Sequence, residues 1–185
     1  MITVARHRFG RHAPPSIILL MGVAGSGKST AGRNLGQRLG WPFRDADSFH
    51  PPANIEKMSR GTPLTDDDRW PWLDAIGAWI DELRLRGAPG IVTCSALRRI
   101  YRDRLLGGRP EVGLVFLQGD FHTIANRMQR RKGHFMPPAL LKSQFDTLEM
   151  PGRDEAALVV PVAMAPRKVV ERIVGAFGLD GPLRV

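Results

Sequence analysis

Gly22-Val23-Ala24-Gly25-Ser26-Gly27-Lys28-Ser29 matches the pattern G-x-x-x-x-G-K-[ST] at every fixed position. Glycines at these places let the backbone turn its N–H groups inward, where no Cβ atom obstructs an oxyanion. A short apolar run at 17–21 precedes the stretch, and apolar residues spaced by four follow it over 30–39. Strand, glycine loop and helix in this order form the context that the motif requires, which favours a phosphate-binding loop over an ordinary glycine-rich turn.

The polar residues of this loop have predicted tasks at a bound nucleotide. The helix that begins near Lys28 contributes a partial positive charge of about half a unit at its N-terminus, where phosphate would lie. Lys28 would reach the β- and γ-phosphates, and the Ser29 hydroxyl would ligate Mg²⁺. The predicted nucleotide-binding residues are Gly22, Gly25, Ser26, Gly27, Lys28, Ser29 and Thr30.

The composition indicates one globular domain with anionic partners. The chain has 185 residues, of which 43% are hydrophobic and 24% charged, enough for a substantial core. Its formal net charge of +9 fits nucleic acid, an acidic membrane, or small anions such as nucleotides and phosphorylated substrates. Because much of the excess lies near the predicted phosphate-handling segments, we favour small anions and expect no nucleic-acid or membrane partner.

The N-terminal region and the single cysteine bear on domain boundaries and location. Residues 1–15 lack apolar periodicity, which predicts a flexible leader before a single domain at 16–185. The apolar run after this leader is too short for a secretory signal, and cleavage there would destroy the glycine loop. No run approaches transmembrane length, and Cys94 has no second cysteine to pair with, so we expect a cytoplasmic protein.

Apolar runs alternate with helical patterns along the whole chain. The candidate strands lie at 17–21, 41–44, 91–94, 114–117 and 158–160. This alternation predicts an α/β fold with three layers and a mainly parallel five-stranded sheet.

Two groups of carboxylates carry alternative interpretations. Asp45 and Asp47 follow the second candidate strand, at the sheet edge that also holds the glycine loop. One could hold Mg²⁺ or its waters while the other accepts a proton from a substrate hydroxyl, or the pair could form an Asx-type turn. The stretch 65–68 reads as a helix N-cap with an acidic first turn, in which Asp68 is placed for a capping box.

Arginines gather at two places. Arg98 and Arg102 follow the third candidate strand at a spacing that puts them on one helix face, and arginine suits paired hydrogen bonds to carboxylate or phosphate. A second basic cluster comprises Arg127, Arg130, Arg131 and Lys132. A segment with glycine and proline follows, so 127–140 fits a lid that excludes water, or else a solvated helix end. Composition alone does not decide between the two.

In His50-Pro51-Pro52-Ala53-Asn54, Thr65-Asp66-Asp67-Asp68-Arg69 and Pro71-Trp72-Leu73, the middle of the chain closely resembles the thermoresistant-type gluconokinase family. The likeness is strongest in His50-Pro51-Pro52-Ala53-Asn54-Ile55-Glu56-Lys57-Met58, in Gly61-Thr62-Pro63-Leu64-Thr65-Asp66-Asp67-Asp68-Arg69 and in Pro71-Trp72-Leu73. It continues in Cys94-Ser95-Ala96-Leu97, Tyr101-Arg102-Asp103, Arg131-Lys132-Gly133-His134-Phe135 and Ser143-Gln144-Phe145. The resemblance implies phosphorylation of D-gluconate on its 6-hydroxyl with MgATP. It also implies a nucleoside-monophosphate-kinase-like P-loop fold with strand order 2-3-1-4-5, usually as a homodimer.

The resemblance further implies roles for individual residues. Asp45 would act with Ser29 on Mg²⁺, and Asp47 would orient or deprotonate the 6-hydroxyl. The implied catalytic residues are Lys28, Asp47, Arg127 and Arg131, the last two stabilising charge on the transferring phosphoryl group. The implied substrate-binding residues are Asp47, His50, Lys57, Arg69, Arg98 and Arg102, within or beside a segment at about 48–86. Of these, Arg69 is the candidate for the gluconate carboxylate.

The chain departs from the family pattern after the fifth strand. Family members tend to carry acidic residues there, whereas this chain reads Val160-Pro161-Val162-Ala163-Met164-Ala165-Pro166. This segment normally lies beside the adenine base, so the base contacts stay open. The alternative functions are a P-loop kinase of another small hydroxy acid or of a nucleotide, since arginines bind carboxylate and phosphate alike, and a nucleotide-dependent regulatory protein.

Overall fold

The computed structural model describes residues 13–129 and 138–179. The strands are β1 (Ile17–Met21), β2 (Phe43–Arg44), β3 (Gly90–Thr93), β4 (Val112–Gln118) and β5 (Leu158–Pro161). The α-helices are α1 (Lys28–Leu39), α2 (Pro52–Ser59), α3 (Asp66–Leu85), α4 (Arg99–Leu106), α5 (Phe121–Gln129), α6 (Pro138–Thr147) and α7 (Pro166–Phe177). Short 3₁₀ helices lie at Ala46–Phe49 and Arg153–Glu155.

The five strands form one sheet in the order β2-β3-β1-β4-β5, and every pair of neighbours is parallel. The implied order 2-3-1-4-5 is therefore confirmed. β2 is shorter than predicted, because Pro42 has no N–H to donate to a ladder; its carbonyl still accepts a hydrogen bond from Ile91 N at 2.9 Å.

The central strand feeds two cores, which makes the fold three layers thick. Ile18 and Leu20 face a core built with α1 and α7, while Ile17, Leu19 and Met21 face a second core built with α3 and α4. All five residues of β1 are fully buried. A parallel strand covered on both faces is a continuous apolar run, which is the pattern read from the sequence.

Helix α3 begins at the predicted capping box. Thr65 Oγ1 accepts from Asp68 N at 3.3 Å, and Asp68 Oδ2 accepts from Thr65 N at 2.7 Å. Satisfying two terminal N–H groups in this way fixes where the 20-residue helix starts. The cap matters for function because Asp66 and Arg69 lie in its first turn.

Two predicted segments fall largely outside the described residues. They are the leader at 1–15, apart from 13–15, and the lid at 127–140, apart from 127–129 and 138–140. Within the described parts of the chain, no helix is long and apolar enough to cross a membrane.

Candidate active site

The glycine loop connects β1 to α1 and leaves open space at the N-terminus of α1. Gly27 is the residue before the helix and has φ +93°, and a Cβ placed on it would meet nothing within 4 Å. Within the described ranges, the buried hydroxyl of Ser26 has no hydrogen-bond partner. An open helix N-terminus beside an unsatisfied hydroxyl fits a phosphate group.

A cavity of about 270 Å³ adjoins this loop. Its wall consists of Gly25, Ser26, Gly27, Thr30, Ala31, Leu117, Arg127, Val162, Met164, Pro166 and Val169. The segment after β5, where the chain departs from the family pattern, thus supplies apolar side chains to the same cavity as the loop. Such a cavity can take the nucleoside part of a ligand whose phosphates lie on the loop.

Lys28 lies across its own loop. Its Nζ donates to the carbonyl oxygens of Gly22 and Val23, at 2.9 Å each. The ammonium group is therefore held within the loop. When a nucleotide binds, Lys28 Nζ would exchange these carbonyl oxygens for phosphate oxygens.

Asp45 joins the loop to the turn after β2. Its Oδ2 accepts from Ser29 Oγ at 2.5 Å, while its Oδ1 accepts from Thr93 Oγ1 at 3.0 Å and from Asp47 N at 3.3 Å. Burial by itself raises the pKa of the Asp45 carboxyl, but hydrogen bonds from Ser29, Asp47 N–H and Thr93 outweigh it and bring the pKa below its ordinary value. The carboxylate is therefore ionised at neutral pH.

Ser29 and Asp45 fit a magnesium site. A hydroxyl and a carboxylate are oxygen ligands of the kind that Mg²⁺ takes, and it usually keeps waters and substrate phosphates as its other ligands. Among the described residues no group of three or more His, Cys, Asp or Glu could hold a metal ion. An ion at Ser29 and Asp45 would take its other ligands from water and nucleotide phosphates.

The Asx-type turn predicted for the 45–47 pair is present, whereas the roles towards Mg²⁺ and a substrate hydroxyl stay predictions. Asp45 caps the 3₁₀ helix that follows it, as an Asx-type turn would, and also contacts Ser29. Asp47 is the next residue but one, and it is exposed. The turn thus uses one carboxylate internally and leaves the other open to a ligand.

His50 is held against an aromatic ring at the end of the same turn. Its ring stacks on Trp72 with centroids 4.4 Å apart and planes 7° apart, and Trp72 Nε1 donates to Ala46 O at 2.8 Å. Burial lowers the pKa of His50, the Asp47 carboxylate raises it, and Arg69 lowers it, with a net value below the ordinary one. The charges of Asp47 and Arg69 thus lie close enough to His50 to shift its pKa, and binding of an acceptor by the three residues stays a prediction.

Arg69 and Arg98 converge on the carboxylate of Asp66. Asp66 Oδ2 accepts from Arg98 Nη1 at 2.5 Å, and Asp66 Oδ1 accepts from Tyr101 OH at 2.5 Å and from Arg69 Nη1 at 3.3 Å. Both guanidinium groups also lie over the Tyr101 ring, at 5.7 and 5.6 Å from its centroid. The arrangement is a binding place for a carboxylate, here provided by the chain itself.

Lys57 ties α2 to α3. Its Nζ donates to Asp68 Oδ2 at 2.6 Å, and this bond, followed by those from Thr65, lowers the pKa of Asp68 to about 2. The lysine is partly exposed, but its partner here is the capping carboxylate.

Arg102 corrects a prediction. The sequence placed it beside Arg98 as an anion contact, but its side chain is only 1% exposed and pairs with Glu155 through Nε and Nη2, the latter at 2.9 Å. Its Nη1 donates to the carbonyl oxygens of Ala96, Leu97 and Glu149. The helix-face argument failed because Arg98 is the extended N-cap of α4 and does not lie on the helix. Arg102 joins the loop after β3 to the segment that follows α6, and its side chain is buried away from solvent.

Arg127 lies at the cavity beside the loop, where Nη2 donates to the carbonyl of Val162. Arg131, the other predicted catalytic arginine, lies outside the described residues. Asp66, Thr93 and Tyr101 were not predicted as site residues, although Asp66 and Tyr101 stand in the motifs that carry the family resemblance.

Comparison with known proteins defines the class first. The chain matches the protein family described as Shikimate kinase over residues 24–173. Shikimate kinase from Bacteroides thetaiotaomicron has the same fold, with a TM-score of 0.64 at 16% identity, over 88% of this chain and 98% of that one. With the loop and its cavity, this fold defines a P-loop kinase.

More similar proteins define the family within that class. Gluconokinase of Gluconobacter oxydans is 45% identical over 163 residues, which are 88% of this chain and 92% of the relative. Thermoresistant gluconokinase of Escherichia coli is 44% identical, over 78% and 82% of the two chains. A gluconokinase structure from Sinorhizobium meliloti has a TM-score of 0.81 and 45% identity, over 90% and 94%. This chain belongs to the gluconokinase family.

Proposed function

We propose that this protein transfers the γ-phosphoryl group of MgATP to the 6-hydroxyl of D-gluconate and forms 6-phospho-D-gluconate. The observation that carries the proposal is the contact of Asp45 with Ser29, which sets the turn bearing Asp47 beside the phosphate loop. The gluconokinases to which the chain is similar supply the identity of the acceptor.

The proposed reaction is an in-line transfer in which positioning and charge do most of the work. Asp47 accepts the proton of the 6-hydroxyl as its oxygen bonds to phosphorus and the bond from phosphorus to the ADP oxygen breaks. Lys28 moves from the carbonyls of Gly22 and Val23 to the β- and γ-phosphates. Mg²⁺, held by Ser29 and Asp45, would neutralise phosphate charge and orient the terminal group.

The far end of the acceptor would lie at the Arg69 and Arg98 cluster. A gluconate carboxylate can accept the hydrogen bonds that Asp66 now accepts. His50, held against Trp72, would lie beside the hydroxyls between the two ends. Lys57 is a proposed acceptor contact as well. Arg127, and Arg131 by the family resemblance, would stabilise charge on the transferring group.

The test is release of ADP from MgATP by the purified protein with and without gluconate. We expect turnover only when gluconate is present, and a product phosphorylated at the 6-position. Shikimate, glucose and AMP serve as comparison acceptors, because they represent another acid, a neutral sugar and a nucleotide. Faster turnover with shikimate or AMP would favour a kinase of another hydroxy acid or of a nucleotide. ADP release at the same rate with and without each acceptor would contradict the proposal.

We also propose a cytoplasmic homodimer, supported by the family resemblance. Light scattering after gel filtration should give about twice the 20.5 kDa of one chain. A mass of one chain at micromolar concentration would contradict the dimer and leave the proposed reaction untouched.

Thr93 provides a test of how Asp45 is positioned. Its buried hydroxyl accepts from Ala46 N at 3.1 Å and donates to Asp45 Oδ1. Thr93→Val keeps the shape, leaves the Ala46 N–H without its side-chain acceptor and removes one of the two hydrogen bonds that Asp45 Oδ1 accepts. We expect about 1–3 kcal/mol less stability, a roughly tenfold lower kcat/KM and a higher Mg²⁺ requirement.

The Thr93→Val variant is checked by urea unfolding without magnesium and by titration of turnover with Mg²⁺. Thr93→Ser retains the hydroxyl, so its Mg²⁺ requirement should equal that of the wild type. An unchanged requirement in Thr93→Val would contradict the positioning of Asp45 by this hydroxyl.

A further inference from the structure

Gln144 contacts the phosphate loop from a distant part of the chain. Its side-chain Oε1 accepts a hydrogen bond from the backbone N–H of Ala24 at 2.7 Å, across 120 residues of sequence. Ala24 is the third residue of the loop. Nothing in the reaction described above uses Gln144.

The opposite end of the same peptide group is held by Lys28. The N–H of Ala24 and the C=O of Val23 belong to one planar peptide group, and Lys28 Nζ donates to that carbonyl at 2.9 Å. The same carbonyl accepts from Ser26 N at 3.2 Å, so the peptide is fixed at its oxygen by Lys28 and Ser26 and at its hydrogen by Gln144. When Lys28 transfers to a nucleotide, the Ser26 N–H still holds the oxygen of this peptide, and Gln144 supplies the contact that holds its N–H.

Helix α6 delivers Gln144 from a fixed position. Leu141 of α6 is buried in the core beside α1 and α7, and the ring of Phe145 packs edge-on against Phe121 with centroids 5.6 Å apart. Beyond the helix, Glu149 N donates to Leu97 O at 2.8 Å. The side chain of Gln144 therefore extends from a helix whose neighbouring residues are packed or hydrogen-bonded.

The next residue of the loop is confined from the other side. A Cβ at Gly25, where φ is +77°, would lie 2.6 Å from Met128 Cγ in α5. The turn at 24–25 thus lies between Gln144 of α6 and Met128 of α5. Since a loop of this kind binds phosphate through its backbone N–H groups, the orientation of its peptides determines its affinity.

We propose that Gln144 is a positioning residue of the phosphate loop, whose side-chain carbonyl holds the Val23–Ala24 peptide in the orientation that binds nucleotide phosphates. The inference rests on the proposed function only in that the loop binds a nucleotide. It assigns no role to Gln144 in binding the acceptor.

Two substitutions separate the acceptor atom from the bulk of the side chain. Gln144→Leu removes the acceptor at similar size, and Gln144→Glu retains an acceptor oxygen. Ser143→Ala is the matched control, because Ser143 is exposed on the same helix and the hydrogen bond that it accepts, from Thr147 Oγ1, goes to its backbone oxygen.

ADP binding is measured by calorimetry without acceptor, and exchange of the Ala24 amide hydrogen is measured by NMR in nucleotide-free protein. We expect Gln144→Leu to weaken ADP binding about tenfold, to speed exchange at Ala24, and to raise KM for ATP while KM for gluconate changes less than about twofold. Gln144→Glu should restore slow exchange at Ala24, and Ser143→Ala should match the wild type.

Two results would overturn the inference. ADP binding that is unchanged in Gln144→Leu would mean that the contact does not shape the loop. Tighter ADP binding would mean that Gln144 blocks the loop and is displaced by nucleotide. If Gln144→Leu unfolds, the inference is tested by comparing exchange of the Ala24 amide hydrogen in Gln144→Glu and Gln144→Met. Exchange should be faster in Gln144→Met, which lacks the acceptor oxygen. Because no acceptor is present, these outcomes do not depend on whether gluconate is the substrate.

Discussion

Asp47→Asn is expected to remove most turnover and to leave nucleotide binding close to that of the wild type. Asparagine has the same shape as aspartate but cannot accept the hydroxyl proton, and a positioned general base contributes about 10²–10⁴-fold to rate. Asp47 is exposed on the turn whose first residue contacts Ser29, so its loss should leave the loop unchanged.

The Asp47→Asn variant is assayed for kcat with saturating MgATP and gluconate, and for ADP affinity by calorimetry. Asp146→Asn serves as the control, because it also removes one carboxylate but from an exposed pair with Lys142 on α6. A kcat within a few-fold of the wild type would exclude Asp47 as the base. A parallel loss of ADP affinity would place it with the nucleotide instead of the acceptor.

Arg102→Met is expected to cost about 3–5 kcal/mol of unfolding free energy, because it leaves the buried carboxylate of Glu155 without its partner. Three carbonyl oxygens lose a donor as well. Arg99→Met is the matched control: Arg99 lies in the same helix and pairs with Asp154, in the same 3₁₀ helix as Glu155, but both of its partners in ion pairs are exposed. The unfolding free energy lost in Arg99→Met should be much smaller than that lost in Arg102→Met.

Urea unfolding measures both arginine variants, and KM for gluconate is determined at a temperature where they are folded. Arg102→Met should keep the wild-type KM, since Arg102 is not directed at the acceptor. A raised KM with unchanged stability would restore the original prediction that Arg102 binds an anion.

The pH dependence of the difference between wild type and Arg102→Met has a definite sign. The hydrogen bond from Arg102 is the main reason that the pKa of Glu155 lies below its ordinary value. A carboxyl with a lowered native pKa contributes stability above its unfolded pKa, about 4.3, and loses it as the pH falls towards the native pKa. The two proteins should therefore differ less in stability as the pH drops below about 4.

Local patterns predicted the parts of the fold that depend on neighbouring residues. The glycine loop, the apolar β1 and the capping box of α3 each involve residues within a few positions of one another, and all three have the predicted structure. The strand order came from the family resemblance, because periodicity alone does not determine which strands pair.

Contacts between distant residues were beyond reach of the sequence. Thr93 and Asp45 are 48 positions apart, and Gln144 and Ala24 are 120 apart. A threonine at a strand end and a glutamine within a helix carry no motif of their own. Arg102 was misassigned for a related reason. Its partner Glu155 lies 53 residues away, and no local sequence pattern indicates a buried ion pair at Arg102.

The carboxylate of Asp66 occupies the two arginines that are proposed to bind the acceptor carboxylate. Arg69 and Arg98 share the single negative charge of Asp66, and Arg98 also lies 3.6 Å from Glu149. In the proposed complex the acceptor carboxylate would take the place of Asp66 at these two arginines. The binding free energy gained at this end would be the difference between two similar ion pairs. An uncharged sugar of the same length would have no carboxylate to replace that of Asp66 at the two arginines. The Asp66 carboxylate would therefore disfavour binding of such a sugar.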